Sequence, residues 1–312
     1  MTSTTRALVA ELRYLFYAKR LFVVLAVVAV GVAVATSGSL SSARSAHAFF
    51  ERQVVTYERN GILLEDALSA PLTITGDGAM QTIDNPLKYD YLQVSEAVHA
   101  LQGTAMVGTA LDLVTFIFAP LLFLILGASL ATYDRTSGTL SFRASRERWV
   151  RVVTGKMITL VVISVGATLA AALLALAAAA AISPTVAGLT QEMGYDLVRP
   201  ESTSPLVLKL GMTTLVCTFF GVVGYAVGVV TRSASWPMVL AALALFLLPF
   251  VSRWDPRNLV AVLGSRVYDF WGQFEMRPPI PIADGAALGV LVGYLAAAAV
   301  VVVLSARSVR LR

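Results

Sequence analysis

The chain has 312 residues, of which 57% are hydrophobic and 14% charged, with a mean hydropathy of +0.75 and a formal net charge of +5. Soluble domains carry roughly 45–50% apolar residues, so the composition excludes an ordinary globular domain and makes lipid the solvent for most of the chain. The positive balance belongs to membrane topology and contact with lipid headgroups rather than to a nucleic-acid footprint, and no nucleic-acid partner is expected.

In chain order, residues 1–20 contain TRALVAELRYLFYAKR, which sets Leu8, Leu12, Leu15 and Phe16 on one helical face and Arg6, Arg13 and Lys19 on others. That pattern predicts an interfacial elbow helix lying along the membrane; the alternative is a snorkelling lead-in to the first span. Six apolar runs follow that are long enough to cross about 30 Å of hydrocarbon: residues 21–40, 107–132, 156–182, 206–230, 236–252 and 285–304. The first is expected to be an uncleaved span, and an even number puts both termini on one side.

Residues 41–106 form the largest polar piece. SSARSAHAFFERQVVTYERN is helical in character up to Gly61, turn formers cluster from Pro71 to Pro86, and LQVSEAVHALQG is helical again. A piece of this size is marginal as an independent domain without disulfides; it reads as a small extracytoplasmic insertion that leans on the membrane part. In the second span Pro120 predicts a kink, which neighbouring helices can accommodate. In the fourth, Gly221, Gly224 and Gly228 fall at i, i+3 and i+7, a flat stripe for close helix packing within the chain or across a dimer. Cys217, the single cysteine, lies mid-span as a small packing residue. Residues 253–284 hold a short amphipathic helix, capped by Asp255 with Pro256 at its first position and carrying Leu259, Val262, Leu263 and Phe270. Residues 305–312 are a basic tail.

Lys and Arg resist translocation. They concentrate before the first span, between the second and third (Arg135, Arg143, Arg146, Arg148, Arg151, Lys156), at Arg232 and in the tail, with Glu11, Asp134 and Glu147 as the only acids on that side. Both termini are therefore expected in the cytoplasm. Asp112 and Lys209 each stand a short way inside a span near the outer mouth, as candidates for a mutual ion pair or substrate contact, or as snorkelling ions. His47 with Glu51 and Glu96 with His99 have helical spacing; solvated pairs are commoner than metal ligands at such spacing, and no metal is expected.

The cytoplasmic segment YDRTSGTLSFRASRERWVRVVTGK, residues 133–156, is far longer than a tight helical hairpin needs. From Ser145 its spacing predicts a short helix with Trp149, Val152 and Val153 on one face and Arg148 and Arg151 elsewhere, the exposed Trp and Arg suiting a protein contact. An acid, Gly-Thr-Leu, a basic segment and Gly-Lys opening the next span (Asp134, Gly138-Thr139-Leu140, Arg146 to Arg151, Gly155-Lys156), set between spans two and three behind an N-terminal interfacial helix, resemble the permease subunits of type-2 ATP-binding-cassette (ABC) exporters. The layout covers the whole chain, the motif about two dozen residues. Members often carry Glu where Asp134 stands and a Pro before the basic turn, where this chain has RASRER.

The resemblance implies that residues 133–155 are a coupling loop gripped by a separate ATPase subunit, with Asp134, Gly138, Thr139, Leu140, Arg146, Glu147, Arg148, Trp149 and Arg151 at the contact. It also implies a second permease chain, identical or sister, in a bacterial cytoplasmic membrane, and ATP and Mg on the partner rather than a cofactor on this chain. TGKM at Thr154 lacks the first glycine and the hydroxyl of a phosphate-binding loop, so this chain is expected to hydrolyse nothing. The expected activity is alternating access for a hydrophobic or amphipathic cargo such as a drug, lipid or peptide. An ion-coupled secondary transporter and a scaffold or sensor are the alternatives.

Overall fold

A computed structural model describes residues 3–75, 82–139, 143, 149–193, 204–233, 235–236, 239, 243, 252–268 and 280–308. The expected span at 236–252 lies almost wholly outside the described residues, as do Leu140, Arg146, Glu147 and Arg148 of the loop and Phe270 of the outer segment. Among the described residues five helices are long and apolar enough to cross a membrane: the chain is an all-α, multi-pass membrane protein with one two-stranded hairpin.

Helix α1 (Ser3–Tyr17) turns at Lys19, held at φ 58°, into α2 (Arg20–Arg59). At 1.5 Å per residue the 40 residues of α2 reach about 60 Å, twice the hydrocarbon thickness, so its second half stands clear of the lipid. It ends where Gly61, at φ 81°, lets the Gly61 and Ile62 amides donate to the carbonyls of Glu58 and Tyr57. Helix α3 (Leu64–Ser69), strands β1 (Ile74–Thr75) and β2 (Thr82–Ile83), paired antiparallel, and helix α4 (Pro86–His99) then fold back on the outer half of α2. Asn85 caps α4 by accepting from the Lys88 amide and ties it to α3 by donating to the Ala67 carbonyl; Phe50 and Tyr91 pack ring to ring across the α2–α4 contact.

The centre of the bundle is one 34-residue helical rod: α5 (Gly103–Leu113), a π-helical turn (Val114–Phe118) and α6 (Ala119–Thr136). Its most apolar stretch is 56% buried, against 17% for the last helix. The π turn sits directly before Pro120, where the widened backbone absorbs the missing donor and the ring clash that would kink a regular helix. Helices α2, α7 (Trp149–Met193) and α8 (Leu206–Thr231) pack on the rod, and α10 (Asp284–Ser308) lies outside them, against α7, α8 and α9 (Pro256–Gly264). Asp255 caps α9 through the Arg257 amide, yet the helix is buried on most sides, Leu259 to Val262 included, rather than lying as an amphipathic surface helix.

Helices α6 and α8 meet at a seam without side chains. A Cβ on Gly127 would overlap the Gly221 carbonyl, one on Gly224 the Leu124 carbonyl, and one on Gly228 would stand 2.8 Å from the Ala128 Cα. The glycine stripe is thus used inside the chain. Backbones this close gain dispersion along their whole length, which is what holds helices together where lipid competes for apolar contact. Gly224→Ala should therefore lower thermal stability in detergent by about 1–3 kcal/mol of overpacking. Gly166→Ala, where a Cβ meets nothing within 4 Å, should be neutral or slightly stabilising; equal melting shifts for both variants would contradict the seam.

Candidate functional site

The end of the bundle that carries α1 holds an ionic network that is buried except for a partly exposed Arg143. Helix α6 brings Tyr133 and Asp134 there in its last turn and then stops: Gly138 takes φ 71°, and the Ser137 hydroxyl donates back to the Tyr133 carbonyl at 2.7 Å. Asp134, completely buried, lies between two cations, with Oδ2 2.5 Å from Lys156 Nζ and Oδ1 2.8 Å from an Arg143 nitrogen. Lys156, also completely buried, donates to the Leu130 carbonyl at 2.7 Å and stands 4.2 Å from the Tyr133 ring centre.

The second acid comes from α1. Glu11 accepts from Arg143 at 2.7 Å and from the Tyr133 hydroxyl at 2.6 Å, while Tyr14 stacks on Tyr133 with ring centres 3.9 Å apart. Gly155 completes the joint, because a Cβ there would stand 3.0 Å from the Ala7 Cβ. Two carboxylates, a guanidinium and an ammonium thus close a neutral set, the condition under which charges can be buried at all. Burial alone would lower the pKa of Arg143; hydrogen bonds to Asp134 and Glu11 outweigh it and raise the guanidinium above its ordinary range, so it stays a cation.

This geometry corrects three expectations. The buried stripe of α1 is Ala7, Glu11 and Leu15, while Leu8 and Leu12 are half-buried and Phe16 is 52% exposed; a paired acid took the middle of the inner face. Trp149 is buried with Val152 and Val153 rather than exposed, so its indole packs inside the chain, and Asp134 has no surface to offer a partner. Among its described residues the hairpin presents Arg135 to Thr139, Val150, Arg151 and Thr154. Glu11, Tyr133 and Arg143 escaped the sequence reading. The one available signal was that Glu11 is the only acid in a basic leading segment.

At the other end, Asp112 and Lys209 are both buried, which excludes the snorkelling alternative. Lys209 Nζ reaches α5 at Gly108, one turn from Asp112, where a Cβ would stand 3.1 Å away. Beside them the Tyr268 hydroxyl donates to the Lys209 carbonyl at 2.8 Å and lies 2.7 Å from Thr213 and 3.3 Å from Thr115, which are themselves 2.8 Å apart. Burial raises the Tyr268 pKa, so this latch between the rod, α8 and the segment after α9 stays a neutral hydroxyl. His47 faces Glu51 at 3.7 Å.

Removing one member of the first network strands the others in low dielectric. Asp134→Asn should destabilise the protein in detergent by about 3–5 kcal/mol, and Lys156→Met by a similar amount. The double variant should recover a large part of the loss, since no buried ammonium is left facing an amide. Losses that simply add in the double variant would show that the two groups do not interact.

Compared with family models, with curated proteins and with solved structures, the chain finds no match in any of the three, so its function is argued from its own residues.

Proposed function

We propose that this chain is a permease subunit of an ATP-driven ABC exporter, with six spans, both termini in the bacterial cytoplasm and residues 41–106 as an extracytoplasmic insertion. The observation that supports this reading best is the buried Asp134–Lys156 pair. These two residues flank the segment on which the family resemblance rests, lie 22 positions apart, and clamp the base of the hairpin between the rod and α7. Arg143 and Glu11 fasten the N-terminal helix to the same point.

A motor bound outside the membrane can move spans only through a connection that does not bend. A largely desolvated, fully paired network is stiff in that sense, because displacing either central charge, Asp134 or Arg143, separates it from two partners. The exposed residues Thr136 to Thr139 and Arg151 are then the surface an ATPase subunit would grip, and Asp134 is a positioning residue behind it. Helices α2 and α10 expose broad apolar faces, among them Phe22, Val30, Leu288, Val292 and Leu304, suited to lipid and to a second permease chain. A cavity lined by such faces would carry hydrophobic or amphipathic cargo, with nucleotide and magnesium on the partner.

The test is recovery of the chain from its native membrane in mild detergent, followed by mass spectrometry. An ATPase subunit is expected to co-purify, and Arg151→Glu or Thr139→Trp should lower its recovery about tenfold, as for a residue at the centre of a contact, while insertion and melting stay unchanged. A chain recovered without any ATPase would overturn the reading. Undiminished recovery with both variants would remove this hairpin from the contact.

A further inference from the structure

The same end of the bundle contains a pocket that the ionic network does not use. It lies between the last turns of α6, α8 and α10 and the first turn of α7, and its lining includes Thr132, Arg135, Trp149, Tyr225, Arg232 and Ser305. The described lining carries two guanidinium groups and no acid. Both arginines are exposed, while the Trp149 and Tyr225 rings that wall the pocket are buried.

Two features set this apart from arginines that merely mark a membrane boundary. Arg232 ends α8 at φ 55°, the left-handed conformation that commonly terminates a helix, and this sets where its side chain leaves the bundle. The residue before the basic side chain, Thr231, has its hydroxyl 2.9 Å from the Val227 carbonyl and 3.2 Å from the Ser233 carbonyl, fixing the turn that carries it. The free space is small, about 40 Å³, room for roughly three waters. That is the scale of a single tetrahedral anion and far below the roughly 300 Å³ at which drug-sized sites begin.

We propose that this pocket binds a phosphate group, with Arg135 and Arg232 as its donors. Two guanidinium groups on the lining of one small pocket can both donate to one tetrahedral anion, the bidentate chemistry in which arginine surpasses lysine. The apolar walls of Trp149 and Val153 suit the glycerol and upper acyl carbons of a phospholipid, so the membrane itself is the nearest source; a small soluble phosphate offers the same chemistry. The reading depends on the chain spanning a membrane and not on the partner proposed above.

Native mass spectrometry of the delipidated protein titrated with dioleoyl phosphatidylglycerol, with dioleoyl phosphatidylcholine as the neutral comparison, tests this. Removing both forks with Arg135→Gln/Arg232→Gln should weaken retention of the first bound phosphatidylglycerol by about tenfold per guanidinium. Arg44→Gln/Arg59→Gln, two exposed arginines on α2, should leave it unchanged. Sodium phosphate in a parallel melting experiment assigns the source: stabilisation that depends on Arg135 and Arg232 marks a small-anion site, and stabilisation by phosphatidylglycerol alone marks a lipid site. Circular dichroism of the variants verifies that they fold. Equal loss of lipid from both double variants, or no dependence of either probe on Arg135 and Arg232, would overturn the proposal.

Discussion

Placing a carboxylate where water cannot reach is costly unless cations and donors surround it, and Asp134 is the point where this chain accepts that constraint. Its two oxygens are divided between Lys156 and Arg143, and Arg143 in turn needs Glu11. Each residue sits on a different segment, so the full set of four charges is satisfied only when α1, the rod, the hairpin and α7 have come together. Paired ions of this kind add little net stability relative to well-packed apolar residues of the same volume, but they are severe on misplacement. The set therefore acts as a register pin: it fixes which turn of α7 faces which turn of α6, and it fixes the angle at which α1 leaves the bundle.

From that pin the rod carries position across the membrane. Along α6 the glycine seam with α8 leaves almost no clearance, so the two helices shift as one body. The π turn at Val114 to Phe118 is where this regularity ends: α5 above it is offset in phase from α6 below, and the turn itself meets the Tyr268 latch through Thr115, beside the buried Asp112 and Lys209. Such turns interrupt the hydrogen-bond ladder while keeping the helix continuous. A rod stiff at one end, with a phase break near the other, concentrates any bending at a level where Thr115, Thr213 and Tyr268 can exchange hydroxyl partners at small cost.

Much of the framework could be read from residues alone, because lipid makes apolar length the dominant signal. The runs carried by α2, α5–α6, α7, α8 and α10 stand out, as does the continuation of the first helix to a glycine stop at Gly61, and the Asp255-Pro256 start of α9 follows from local capping chemistry. What stayed hidden depends on pairing at a distance. Glu11 is 132 positions from Arg143, and nothing local says that an acid between Leu8 and Leu12 faces inward. Pro120 signals a break, yet whether the chain kinks or widens into a π turn is decided by neighbours. The helix predicted from Ser145 already put Trp149, Val152 and Val153 on one face, but that it runs unbroken into the third span with this face buried inside the chain depended on neighbours.

Trp149 joins the two features at this end of the molecule. One face of its indole helps line the pocket between Arg135 and Arg232, and Lys156 Nζ lies 6.0 Å from the same ring. Arg135, beside Asp134 on the chain, turns outward to the pocket while its neighbour turns inward to the pin. A phosphate held by Arg135 would therefore tether the last turn of α6 to the membrane boundary just where the ionic network tethers it to α1 and α7. Electrostatics favours the combination: the buried set is neutral and exerts little field beyond its own radius, so it does little to offset the charge of the two outward arginines. The interior charges fix the hairpin relative to the helices, and with a bound phosphate the exterior ones would fix the helices relative to the lipid.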